Sequence, residues 1–123
     1  WFEDRTANGL PVLVASDEHG VVGFASYGAF RAWPGYRHTV ENSIYVAENA
    51  RKRGVGTLLL RALIDRAVES EVHTMIAGID GENTGSMRLH EKLGFTRVAD
   101  MKQVGRKFDR WLDLTFYQRM LEP

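Results

Sequence analysis

Cysteine is absent from the 123 residues, which removes disulfides, thiolate nucleophiles and cysteine-ligated zinc together. Net charge is absent too. The 16 basic residues balance 16 acidic ones, so no bulk field points to a nucleic-acid or membrane partner. No apolar run approaches the ~20 residues that span a bilayer, and no signal-peptide pattern opens the chain. What is present is ordinary for a globular protein, with 44% hydrophobic and 26% charged residues, and the length suits one domain over residues 1–123. A cytoplasmic enzyme or binding domain is the class that remains. The chain opens on Trp1, and "WFEDRTANG" reads as the tail of a helix stopped by Gly9, as though the chain were cut from something longer.

Periodicity orders the rest. "PVLVAS" (11–16) and "VVGFASYGAF" (21–30) read as strands joined by the turn "DEHG", so a hairpin is expected. "RAWPGYRH" (31–38) is a loop, and "TVENSIYV" (39–46) a strand that places Thr39, Glu41, Ser43 and Tyr45 on one face. Apolar residues at 55, 58, 59, 62 and 63 predict a helix from Val55 to Glu69. "HTMIAGI" (73–79) is a strand, "SMRLHEKL" (86–93) a short helix with Gly94 as its stop, and two more strands close the chain. The order β-β-β-α-β-α-β-β predicts an α/β fold of the α+β kind, a mixed sheet with helices packed on it.

Between the third strand and the long helix lies "RKRGVGT" (51–57). Helix N-termini leave backbone N–H groups unpaired and carry partial positive charge, which suits an anion. Gly54 and Gly56 would let backbone approach phosphate oxygens, and Arg51, Lys52 and Arg53 would add charge. A solvated basic loop is the plainer alternative. A P-loop is excluded because Thr57 follows Gly56 directly with no Lys between them, and a dinucleotide fingerprint because its third glycine position holds Leu59.

Arg51-x-x-Gly54-x-Gly56 at the head of a helix resembles the acyl-CoA pyrophosphate loop of the GNAT acetyltransferase superfamily, and "ENTGSMRLHEKLGF" (82–95) is similar to its second hallmark. "GYRHTVENSIYV", "RLHEKLGF" and "KFDRWLDLTFYQ" look like the branch that acetylates phosphinothricin, methionine sulfone and methionine sulfoximine. The resemblance implies a mostly antiparallel sheet flanked by helices. It implies acetyl-CoA as cofactor and a small amino-acid-like acceptor, with neither nucleic acid nor membrane as partner; a homodimer is compatible with it. The family begins with a strand and two helices, of which only the end of the second is expected here.

The same resemblance distributes roles. Ile44, Tyr45 and Val46 would lend backbone groups to the pantetheine arm, whose amides can pair with a strand edge. Arg51, Lys52, Arg53, Gly54, Val55, Gly56 and Thr57 would hold the pyrophosphate, and Asn83 would bond the arm or simply cap a helix. Glu41 stands at the family's catalytic glutamate, taking a proton from the acceptor ammonium, in place of a plain exposed strand glutamate. His90 occupies the position of a tyrosine in many relatives, either protonating the leaving thiolate as imidazolium or merely packing. Arg31, Ala32, Trp33, Glu41, Asn42 and Ser43 match acceptor-binding positions, with Arg31 suited to a carboxylate and Arg37, Lys107 and Arg110 as rival cations. No metal is expected, since His38 and Glu41, three apart on a strand, face opposite ways. A protein N-terminal acetyltransferase and a non-catalytic acyl-CoA-binding domain are the competing functions.

Overall fold

Alternating apolar residues and turn glycines draw the chain into seven strands and two α-helices, seen in a computed structural model that describes residues 2–6, 9–51 and 53–121. The strands are β1 (Phe2–Asp4), β2 (Val12–Asp17), β3 (Gly20–Ala29), β4 (Thr39–Val46), β5 (Thr74–Asp80), β6 (Thr96–Lys107) and β7 (Arg110–Met120). The helices are α1 (Val55–Glu69) and α2 (Thr84–Lys92). One sheet runs in the order β1-β2-β3-β4-β5-β7-β6, antiparallel throughout except between β4 and β5. None of the described helices is long and apolar enough to cross a membrane.

The opening segment differs from expectation. Phe2–Asp4 is not the tail of a helix but an edge strand, paired with β2 from Phe2↔Ala15 to Asp4↔Leu13. Three residues are too few to display a period, and pairing with an existing strand decides their conformation. Elsewhere the boundaries lie within a few residues of those read from the pattern.

Helix α1 buries Leu59, Leu60, Leu63, Ile64 and Ala67, a stripe of helical period that lies one position further round than the sequence template. Leu58, expected inside, is 43% exposed. Helix α2 is capped by Asn83, whose side chain accepts a bond from Ser86 N, and the chain turns out of it at Gly94. There φ is +92°, and the N–H of Phe95 reaches back to His90 O at 3.0 Å, a Schellman closure that needs a left-handed residue.

Residues opposite one another in adjacent strands share a face of the sheet. Val40, Ala25, Tyr27, Met75, Ala77 and Tyr117 are buried together in the core beneath α1 and α2. Glu41, Ile76, Gly78 and Phe116 belong to the other face, as the registers Glu41↔Ile76 and Gly78↔Phe116 require.

Candidate active site

The pairing of β4 with β5 spans Thr39↔Thr74, Val40↔Met75 and Glu41↔Ile76 and then stops. Strand β4 stays on β3 as far as Val46↔Gly23, and β5 stays on β7 as far as Asp80↔Leu114. The two central strands therefore part just past Glu41, leaving the β5-facing edge of β4 unpaired over residues 42–46. A cleft of about 280 Å³ fills the gap, lined by Asn42, Ser43 and Ile44 from one strand, Gly78 and Asp80 from the other, and Asn83 and His90 from α2 and its cap. A second cavity, of about 440 Å³, is lined by Phe30, Arg31, Ile76, Val98 and Phe116. Glu41 lines both.

The loop between β4 and α1 is held at its ends. Arg51 Nε donates to Val46 O at 3.3 Å, and Arg53 Nη1 bonds Asp17 Oδ2 at 3.2 Å. The Asp17 carboxyl sits below its usual range, chiefly because it accepts the backbone N–H of His19 and then because of Arg53. Gly54 caps α1 with φ +78° and no side chain capping the helix, so the first-turn N–H groups of Val55, Gly56 and Thr57 point at the loop. Lys52, also expected here, lies outside the described residues.

The two glycines turn out to differ. A β-carbon on Gly54 would meet nothing within 4 Å, whereas one on Gly56 would lie 3.2 Å from Leu89 and 3.6 Å from Val46. The missing side chain of Gly56 thus makes room for Leu89 of α2 against α1, and its backbone N–H stays open to an anion.

His90 is enclosed by protein. Its ring is 2% exposed and packs edge-on against Phe95 at 4.9 Å between centroids. Nδ1 lies 2.8 Å from Ser86 O, which can only accept, so Nδ1 donates. Burial holds the imidazole below its ordinary pKa, and in that neutral ring Nε2 accepts from Asn42 Nδ2 at 3.3 Å. Of the two readings of His90, desolvation favours packing over the imidazolium. His90 ties α2 to β4 instead, and Asn42, buried beside it on the helix side of the sheet, is turned away from the face that carries Glu41.

The remaining residues divide clearly. Ile44, Tyr45 and Val46 form the unpaired edge, with Tyr45 stacked on Phe24 at 5.6 Å on Glu41's face. Asn83 caps α2 with Oδ1 and also lines the cleft. Ser43 is exposed beside the cleft. Arg31 reaches the cavity with its guanidinium 5.3 Å from the Phe30 ring. Ala32 and Trp33 stay on the exposed loop, Trp33 at 69% exposure, and neither lines the cavity. The rival cations are engaged elsewhere, Arg37 on Pro34 O, Arg110 on Glu82 and Lys107 over the Phe108 ring. Sequence reasoning missed Phe30, Ile76, Val98, Phe116 and Gly78. The only local signal among them was a glycine in mid-strand.

The acetyltransferase (GNAT) family model matches residues 1–95. The chain is 51% identical over 124 residues to the L-methionine sulfoximine/L-methionine sulfone acetyltransferase of Pseudomonas aeruginosa, covering 100% of this chain and 72% of that one. Among solved structures it resembles the ribosomal-protein-alanine N-acetyltransferase of Brucella melitensis, with a TM-score of 0.88, 53% identity and coverage of 92% and 70%. It also resembles yncA of Salmonella typhimurium, solved with its cofactor acetyl-CoA, with a TM-score of 0.89, 50% identity and coverage of 93% and 66%.

Proposed function

The chain belongs to the acetyltransferase (GNAT) family, and from that premise we propose that it acetylates the α-amine of a small amino-acid analogue, of the methionine sulfoximine, methionine sulfone or phosphinothricin type. The observation that carries the reading is the position of Glu41. It stands where the cleft between the parted strands meets a cavity holding Arg31, so one carboxylate can serve two ligands arriving from different directions.

The site fits acetyl-CoA on three counts. The edge of β4 at Ile44, Tyr45 and Val46 lacks a strand partner on its β5 side and can pair with the two amides of pantetheine. The open, uncapped start of α1 at Gly54 offers N–H groups to pyrophosphate, with Arg51 and Arg53 adding charge. Asn83 keeps its amide N–H groups for the arm while Oδ1 caps α2. When bound, acetyl-CoA supplies the acetyl group as a thioester, whose C–S bond gives way to the amide C–N bond.

The protein's own task is to prepare the amine. At neutral pH the acceptor carries an ammonium with no lone pair, and Glu41 removes its proton, directly or through a water. Arg31 holds the acceptor's carboxylate beside the apolar walls made by Phe30, Ile76 and Phe116, satisfying a charge that is costly to bury alone. Proton removal at Glu41 and orientation by Arg31 need no metal and no thiol.

A second reading follows from the likeness to a ribosomal-protein-alanine N-acetyltransferase at 53% identity, since the same cofactor can serve a peptide terminus. Following CoA release with free methionine sulfoximine, methionine sulfone, phosphinothricin and an alanine-terminated peptide separates the two. The small acids should exceed the peptide in kcat/KM by at least ~10-fold, because the peptide lacks the α-carboxylate. Turnover of the peptide alone would replace the first reading with the second.

A further inference from the structure

Gly78 sits in the middle of β5, just past the end of its pairing with β4 at Ile76 and still paired with β7 through Phe116. Glycine weakens a strand interior and contributes nothing to packing. Its backbone does not demand it either, because Gly78 is not among the positive-φ glycines. The explanation lies in what surrounds it. A β-carbon at Gly78 would fall 2.9 Å from Glu41 Oε2, 3.3 Å from Phe116 Cε1 and 3.6 Å from Leu114 Cδ1. Approaches under 3.0 Å are essentially never made by real β-carbons. The two hydrophobic side chains stand close as well, so the group that yields is the carboxylate, which has the open cavity beside it.

We infer that Gly78 is a positioning residue for the reaction: its missing side chain lets the Glu41 carboxylate rest over bare β5 backbone where cleft and cavity meet. The inference rests on the reading of Glu41 as the base. It assigns the bare patch on β5, and not β4 alone, the task of fixing where the base points. A base displaced by about 1 Å loses rate out of proportion to the distance.

The test is a double-mutant cycle of Gly78→Ala with Glu41→Gln, with kcat and KM for both substrates and acetyl-CoA affinity by calorimetry. Gly78→Ala should lower kcat by about 10- to 100-fold. In the Glu41→Gln background the same methyl should cost almost nothing further. An equal loss in both backgrounds means that Gly78 acts independently of Glu41 and overturns the positioning role while leaving the base in place. A Glu41→Gln variant as active as wild type overturns the base, and the positioning role with it. Should Gly78→Ala alone fail to fold, Glu41→Asp with Gly78→Ala decides the matter. Shortening the acid by one methylene relieves the contact and should restore folding, whereas a double variant that still fails places the clash on Phe116 or the backbone and overturns the inference.

Discussion

Replacing His90 with leucine separates the two roles that an imidazole at this position can play. Leucine fills a similar volume but removes both ring hydrogen bonds, to Ser86 O and from Asn42 Nδ2. Asn42 is only 8% exposed, so its orphaned N–H carries a penalty of about 1–3 kcal/mol. The bond to Ser86 O is lost as well, but that carbonyl is part-buried within α2, and its smaller cost is offset by burying the apolar leucine. The net loss is then about 1–3 kcal/mol. For 123 residues the unfolding entropy is about 0.26 kcal/mol/K, so the thermal midpoint should drop by about 4–12 °C.

Acid adds a signature to that variant. Burial depresses the His90 pKa in the folded state, while the unfolded chain titrates near the ordinary value of about 6.5. The unfolded state binds more protons in that window, so stability is full above about pH 6.5 and is lost as pH falls toward the lower folded value. Wild type should therefore lose more of its midpoint between about pH 7.5 and 5.5 than His90→Leu does. Calorimetry at the two pH values and CoA release at neutral pH provide the readouts, with kcat expected within about 10-fold of wild type. An unchanged midpoint with kcat reduced by ~10²-fold would refute this account and restore His90 as the proton donor to the thiolate.

Two further perturbations probe the acceptor and the loop. Arg31→Ala should raise KM for a free amino-acid acceptor by ~10-fold or more, the loss of one charge-assisted contact, while a methyl-ester acceptor should suffer much less. Equal losses for acid and ester in steady-state kinetics would remove Arg31 as the carboxylate partner. Gly56→Val should lower stability by about 1–3 kcal/mol through overpacking against Leu89 and Val46, read as a fallen denaturation midpoint. A variant of wild-type stability with acetyl-CoA affinity lost would mean that Gly56 clears space for phosphate after all.

What the residues disclosed in advance was whatever has a period or a local turn. The alternation of β4, the α1 stripe and the Gly94 stop are each set within a few residues, and the structure places them as the pattern does, with the stripe one position round. The Arg51-x-x-Gly54-x-Gly56 spacing and the segment around Asn83 led to the family by resemblance. Contacts made across the fold were not legible. Nothing near His90 in sequence says that Asn42 and Phe95 will enclose it, and that burial is what lowers the imidazole's pKa. Gly56 looks like a loop glycine until α2 arrives against it. Gly78 looks like a flaw in a strand until Glu41 reaches over it from β4. Phe2–Asp4 had too few residues to show its strand before β2 paired with it.

The central claim is that Glu41 removes the proton that keeps the acceptor amine from reacting, and Glu41→Gln tests it most directly. The amide keeps the size and most of the polarity of the side chain but cannot take a proton at neutral pH. Acetyl-CoA affinity measured by calorimetry should stay at the wild-type value, and kcat from CoA release should fall by ~10²-fold or more. A kcat close to wild type at neutral pH, with the cofactor bound as before, would contradict the claim and assign the proton to water or to another group.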